Sequence, residues 1–317
     1  MLSRTAGNLF WLSRYMERAE SVARLILVGH RMAGVAHTVD LHTNEWRSTL
    51  RAAGCLPGFT EKYGACEPDQ SQVFEYLVLD ADNPSSIRAC FETARRNARA
   101  VRTALTVEMW DAITDSWRGV QSLSRSDMEV DRLVPILEWV KSRSLAFSGA
   151  YANTMLRNEG YAFAHLGTTL ERADNTARVL DVKYHLLLPD QEGVGGVLDY
   201  VQWQSVLRAV SALRAYQWVY HQRLQPWLVA DLLILRPELP RSLLSCASQI
   251  VTTLDSLADR AGGRRGECHR LAGRMHAELR YSRIESIFQA GLHEFLTGFI
   301  DQLKELGAAI DQHYLAL

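Results

Sequence analysis

The chain has 317 residues, 47% hydrophobic and 22% charged, with a formal net charge of −1. That length suffices for two domains or one large one with a full core, and the near-neutral balance argues against a general nucleic-acid or membrane-surface binder, which would be basic. Five cysteines, an odd number without C-x-x-C spacing, make neither a disulfide framework nor a zinc site; with charges breaking every long apolar segment and no basic-then-apolar leader, a cytosolic protein without a membrane span is expected.

Residues 5–38 read as one long helix. Leu12, Tyr15, Met16, Ala19, Val22, Ala23, Ile26 and Leu27 recur at helical spacing and share an apolar stripe. Ser13, Glu17, Glu20 and Arg24 line one flank of it, and Arg14, Arg18 and Ser21 the other. Asn44 is placed to cap a short helix, 45–53, that Gly54 stops. Cys55 to Asp69, with Pro57, Gly58, Gly64 and Pro68, reads as a loop. The apolar run 71–79 fits a strand by composition, but its short length and flanking helices favour a buried helix. Asn83 and Pro84 open the next helix, which runs to about Leu105. Another holds Glu108, Met109, Trp110 and Trp117, and Ser126 or Asp127 caps a long one reaching about Arg157. A second long helix then ends at Leu188-Pro189, followed by a loop at Gly193 to Gly196. Further helices are expected at about 198–221, 226–235, 240–260, 267–281 and 284–314.

The stretch Leu12-Ser-Arg-Tyr-Met-Glu-Arg-Ala-Glu-Ser-Val-Ala-Arg24 returns as Leu166-Gly-Thr-Thr-Leu-Glu-Arg-Ala-Asp-Asn-Thr-Ala-Arg178. Glu17, Arg18 and Arg24 recur as Glu171, Arg172 and Arg178, and Glu20 as Asp174. Other matches keep the same order at nearly the same offset: Trp46 to Ala52 with Trp203 to Ala209, Leu77 to Leu79 with Leu233 to Leu235, Pro84 to Cys90 with Pro240 to Cys246, and Glu138 to Val140 with Glu294 to Leu296. Constant spacing in unchanged order predicts an all-α fold of two tandem helical-bundle repeats, residues 1–157 and 158–317, packed pseudo-symmetrically as one unit.

No phosphate loop, dinucleotide turn, G-x-S-x-G, H-E-x-x-H or di-iron E-x-x-H pair is present, so no cofactor and no metal site are expected. His269, His276 and His293 read as structural. The Glu-Arg helices admit three readings. Their charges are surface pairs worth about 0.3–0.5 kcal/mol each, or Glu17 and Glu171 are buried between the repeats and paired with arginines of another helix, or the motifs face a ligand. In the last case Glu17 and Glu171 are the candidate catalytic bases, and Arg18, Glu20, Arg24, Arg172, Asp174 and Arg178 the surrounding network. Arg88, Arg95, Arg99 and Arg102 form the one concentrated basic stripe, a solvated face or a surface for an anion or an acidic partner. Arg283 and Glu285, within Tyr281-Ser-Arg-Ile-Glu-Ser-Ile-Phe288, are expected near the apolar seam, completing the network.

On these motifs, with Asn83-Pro-Ser-Ser-Ile87, Ala94 to Arg102, Pro240-Arg-Ser-Leu243 and Gly291-Leu-His-Glu-Phe-Leu296, the chain resembles the alpha-E family of helical bacterial proteins over essentially its full length. Members of that family typically accompany, or are fused to, a circularly permuted ATP-grasp ligase, often beside transglutaminase-like peptidase and proteasome-like hydrolase genes. The resemblance implies a place in a peptide-ligation or peptide-modification system, as a non-catalytic partner of the ligase or a binder of its peptide. A small helical enzyme built on Glu17 and Glu171, and a plain oligomeric scaffold, are the alternatives.

Overall fold

The computed structural model describes residues 1–39, 45–186 and 197–316. The expected cap at Asn44, helix end at Leu188-Pro189 and loop at Gly193 to Gly196 lie outside the described residues. In chain order the helices are α1 (Ser3–Val39), α2 (Glu45–Ala52), α3 (Leu56–Tyr63), α4 (Gln70–Phe74), α5 (Ile87–Ala100), α6 (Val107–Gln121) and α7 (Val130–Thr154). They continue with α8 (Glu159–Leu186), α9 (Val197–Ala209), α10 (Leu213–Tyr220), α11 (Pro226–Leu235), α12 (Leu243–Arg260), α13 (Glu267–Tyr281), α14 (Ile284–Ala290) and α15 (Leu292–Ile310). No strand occurs among the described residues, and none of their helices is long and apolar enough to cross a membrane.

The two Glu-Arg helices, α1 and α8, form the centre and run parallel. Their contacts advance together, from Met1 with Glu159 to Arg14 with Glu171 and Glu17 with Arg172. Helix α1 packs on α5 and α7, and α6 bridges those two; α8 packs on α12 and α15, and α13 bridges those in turn. Helices α2 and α9 each touch both central helices. The apolar stripe read from the sequence supplies the core: Leu12, Met16, Ala19, Ala23 and Ile26 from α1, and Leu166, Leu170, Ala173 and Ala177 from α8, are fully buried. Both helices are also buried on their flanks, which is why charged residues on them meet protein rather than water.

Local details recur at matched positions. Ser86 caps α5 by accepting the Ala89 N–H, and Ser242 caps α12 by accepting the Ser245 N–H. Helices α2 and α9 end alike: the Cys55 N–H bonds to the Leu50 carbonyl and the Ala212 N–H to the Leu207 carbonyl, around Gly54 and Ser211 at φ 70° and 59°. Left-handed backbone suits Gly54; at Ser211 it works against the side chain.

Several boundaries differ from expectation. The Pro-Gly segment after Cys55 contains α3, because Pro57 sits in its first turn and Phe59 and Tyr63 stack on one side. Run 71–79 is helical, its second half a π-helical turn over Glu75–Leu79. Helix α5 is capped by Ser86, three residues after the expected cap, since Asn83 holds the preceding turn by accepting the Ser85 N–H and donating to the Tyr76 carbonyl. It ends at Ala100, short of Leu105. Ser124 and Asp127 close a short 3₁₀ turn, and α7 starts only at Val130. The expected helix 198–221 breaks at Ser211, and 284–314 breaks at Gly291 (φ 97°).

The parallel pair is closely packed at Gly167 of α8, where a Cβ would run into the Phe10 carbonyl of α1. Backbone cannot step aside as a side-chain tip can. Gly167→Ala is therefore expected to destabilise the protein by about 1–3 kcal/mol, despite the better helix propensity of alanine. Urea unfolding reads this directly; an unchanged midpoint would show that α1 and α8 have room to separate.

Candidate functional site

Where α1 and α8 meet, each Glu-Arg motif answers the other. Glu17 accepts from Arg172 Nε at 3.1 Å and Nη2 at 3.0 Å, a bidentate pair across the two helices. Reciprocally, Glu171 accepts from Arg18 Nε at 2.5 Å and Nη2 at 3.0 Å. Each carboxylate also has a second guanidinium. For Glu171 it is Arg14, whose Nε lies 2.8 Å from Oε2. For Glu17 it is Arg241, just before α12, with Nη1 at 2.8 Å from Oε1. Arg241 reaches Glu20 as well, Nη2 to Oε1 at 2.6 Å, and Arg24 closes on the same oxygen from Nε at 2.8 Å.

Outside this pairing the second arginine of each motif caps the helix that follows the other motif in the chain. Arg24 donates from Nη1 to the Ala209 carbonyl at the end of α9, and Arg178 from Nη1 to the Ala52 carbonyl at the end of α2, at 3.1 Å. A cation at a helix C-terminus meets both an unpaired carbonyl and the negative end of the dipole. Arg178 also bonds Asp174 at 2.6 Å, the counterpart of Arg24 with Glu20.

Burial sets the electrostatics. Glu17 and Glu20 are 1% exposed and Glu171 4%. Burial by itself pushes the Glu17 carboxyl up, but Arg172 and then Arg241 outweigh it and hold the group at about 2. Glu171 is likewise held at about 2, burial being overcome by Arg18 and Arg14. Burial works against the charge of Arg18 and Glu171 reverses it, while Glu17 more than offsets burial at Arg172, so both guanidinium groups are raised. Burial lowers Arg24, and the neighbouring Arg241 lowers it further. A carboxylate that ionises near 2, with its oxygens taken by guanidinium groups, is a poor proton acceptor at neutral pH. The geometry therefore speaks for Glu17 and Glu171 as partners in a buried ion-pair lattice rather than as general bases.

The other expected site residues are dispersed. Arg283 and Glu285 are exposed around the start of α14 and make no hydrogen bond or ion pair with the lattice. The periodicity that put them near a seam serves Ile284 and Ile287, which are buried. The basic stripe is broken up. Arg88 donates to the Leu123 carbonyl at 2.6 Å, Arg95 lies 6.0 Å from the Trp117 ring centre, and Arg102 lies over Trp110 at 4.6 Å. Arg99 stays exposed. Among the described residues one group, Cys268, His269 and His313, brings possible metal donors together. Its chemistry is poor for a metal. His269 Nδ1 accepts the Gly266 N–H at 3.0 Å, Nε2 faces the Leu254 carbonyl at 3.2 Å, and burial pushes the Cys268 thiol up to about 11.

Sequence reasoning did not pick out Arg14, Arg241 or Asn175. The signal for Arg241 lay in the alignment of Pro84 to Cys90 with Pro240 to Cys246, where Ser85 stands opposite an arginine at the threshold of a helix. Asn175, 2% exposed, has neither amide atom hydrogen-bonded within the protein. It lines a cleft of about 230 Å³ beside Arg18, Glu171, Asp174, Arg178 and Ser85.

Comparison with known proteins agrees with the arrangement found. Residues 1–315 match the Alpha-E family, described as a predicted alpha-helical domain with a conserved ER motif. Uncharacterised proteins of Mycobacterium bovis and of two Mycobacterium tuberculosis strains are similar, each 25% identical over 339 residues that cover 99% of this chain. The chain spans 37% of the length of these curated relatives. No solved structure matches it. With its paired Glu-Arg helices at the centre of an all-helical fold, the chain belongs to the Alpha-E family.

Proposed function

We propose that this chain is a non-catalytic helical partner of an ATP-grasp amidoligase in a cytosolic peptide-ligation or peptide-modification system, where it binds the ligase or its peptide. The observation that carries this reading is the saturation of Glu17 and Glu171: each carboxylate is buried under two guanidinium groups and held at about 2. The motif residues are spent on joining α1 to α8, which makes a rigid platform and leaves recognition to the clefts around it. The alternative of an enzyme with Glu17 or Glu171 as base requires a carboxylate that can gain a proton near neutral pH, and these cannot.

The family resemblance supplies the ligase as partner and suggests a transglutaminase-like peptidase nearby. The relatives' length supports it too: the matched region is 37% of each, which leaves room for a partner domain in one polypeptide. Purification of the tagged chain from its native host, with neighbouring genes intact, is expected to recover an ATP-grasp ligase. Recovery of neither ligase nor peptide would overturn the reading.

A further inference from the structure

Positions 85 and 241 are matched between the halves, but they are filled differently. The Arg241 side chain lies in the protein, bridging Glu17 and Glu20. Ser85 reaches no such pair, and the corresponding space beside Glu171 and Asp174 is the cleft of about 230 Å³. Charge decides what fits there. Arg14, Arg18 and Arg178 face Glu171 and Asp174, three cations against two anions. Arg14 has already supplied the third guanidinium by approaching Glu171 from the neighbouring groove. A ligand cation would raise the excess in a half-buried site, whereas one carboxylate would cancel it.

Asn175 narrows the choice. Its buried amide has an unpartnered donor and an unpartnered acceptor at the wall of the cleft. A carboxylate beside an N–H satisfies both and brings the single negative charge that cancels the excess, whereas a phosphate dianion brings two. The space is smaller than the roughly 300–1,000 Å³ of drug-sized sites. Through Arg18 and Asp174 it adjoins a second groove, of about 470 Å³, over Gly307 and Ala308 of α15.

We propose that this cleft binds the α-carboxylate and neighbouring N–H of a peptide C-terminal residue, with the preceding residues lying in the adjoining groove. The carboxylate meets Arg18 and Arg178, and Asn175 reads the N–H and one carboxylate oxygen. The peptide as source of that carboxylate rests on the peptide-handling function proposed above; a free amino acid would offer the same group.

Titration calorimetry with tetraglycine, tetraglycinamide, glycine and inorganic phosphate tests main-chain chemistry without side-chain effects. Tetraglycine is expected to bind at least ~10-fold more tightly than tetraglycinamide, glycine or phosphate. Ser85→Arg, which places in the cleft the side chain found at position 241, and Asn175→Leu are each expected to weaken tetraglycine at least ~10-fold. Asn175→Leu, which removes buried unpartnered polar atoms, is expected to keep or raise the melting temperature, so its loss of binding is not unfolding. Equal binding of the amide, equal binding of phosphate, no binding of tetraglycine, or unaltered binding by a folded Asn175→Leu would each overturn the site. Glycine binding as tightly as tetraglycine would overturn the peptide source. Ligase recovery is read without added peptide, so it fails or succeeds independently of this result.

Discussion

Glu17→Gln is expected to cost the fold about 3–5 kcal/mol, a large part of the 5–15 kcal/mol that typically holds a domain together. The volume hardly changes, so the loss is electrostatic. Gln keeps a carbonyl oxygen for one guanidinium but removes the charge that two of them share, leaving Arg172 and Arg241 beside a neutral amide in a buried site. Glu20 compensates only Arg241, and it already holds Arg24. An exposed pair would behave differently: Lys304 with Asp301 on the surface of α15 is worth at most about 1 kcal/mol. The same comparison separates architecture from chemistry. Urea unfolding of Glu17→Gln, Arg172→Gln and the double variant should give single losses that do not add, with the double variant milder than their sum by at least ~1 kcal/mol. Additive losses below about 1 kcal/mol each would show that the pair does not hold α1 to α8.

Periodicity made most of the helices legible. Pro226–Leu235 and Glu267–Tyr281 have the bounds their patterns and flanking residues indicate, because Pro and Gly punctuate them. The breaks at Ser211 and Gly291 were hidden. Apolar spacing continues across both, and only tertiary packing decides that the chain turns there. In the central site, the recurrence of Glu17, Arg18 and Arg24 marked residues that pair between α1 and α8, and their division between two helix flanks foreshadowed the exchange of partners across the two helices. Which arginine reaches which carboxylate was not readable, since Arg241 stands 224 positions from Glu17 and the pairing depends on how α12 begins. Nor was the fate of the basic stripe. Two of its cations, Arg95 and Arg102, lie against Trp117 and Trp110, which come from the next helix rather than from the stripe itself. The reciprocal contacts follow the recurrence of the Glu-Arg stretch in the sequence; Ser85 against Arg241, a position where the match fails in charge, is where the cleft opens.

Acid is expected to unfold the protein through the same lattice. Glu17 and Glu171 are held at about 2, against 4.5 in the unfolded chain. As pH falls the unfolded state takes up these protons first. Their stabilisation is therefore complete above about pH 4.5, shrinks between 4.5 and 2, and is gone below. That gap corresponds to about 3 kcal/mol for each carboxylate. Other groups contribute as well. His165, lowered by burial and by Arg172, withdraws stability as pH falls below its ordinary 6.5, as do His30 and His276, lowered by burial. Asp69 and Asp127 are lowered too, first by hydrogen bonds from Ser71 and Ser124, and Glu267 by its hydrogen bond from Arg270, and all three titrate in the acid range alongside the buried pair. The difference in acid unfolding between wild type and each Gln variant, measured from pH 6 to 2.5, isolates the buried pair, because the other groups are common to all. Wild type should lose stability steeply below pH 4.5, and Glu17→Gln and Glu171→Gln should each lose clearly less over that interval, by up to about 3 kcal/mol. A wild-type protein as stable at pH 3 as at pH 6, or variants with the full acid dependence, would mean that the carboxylates gain nothing from their guanidinium partners. The lattice would then be packing that happens to be charged.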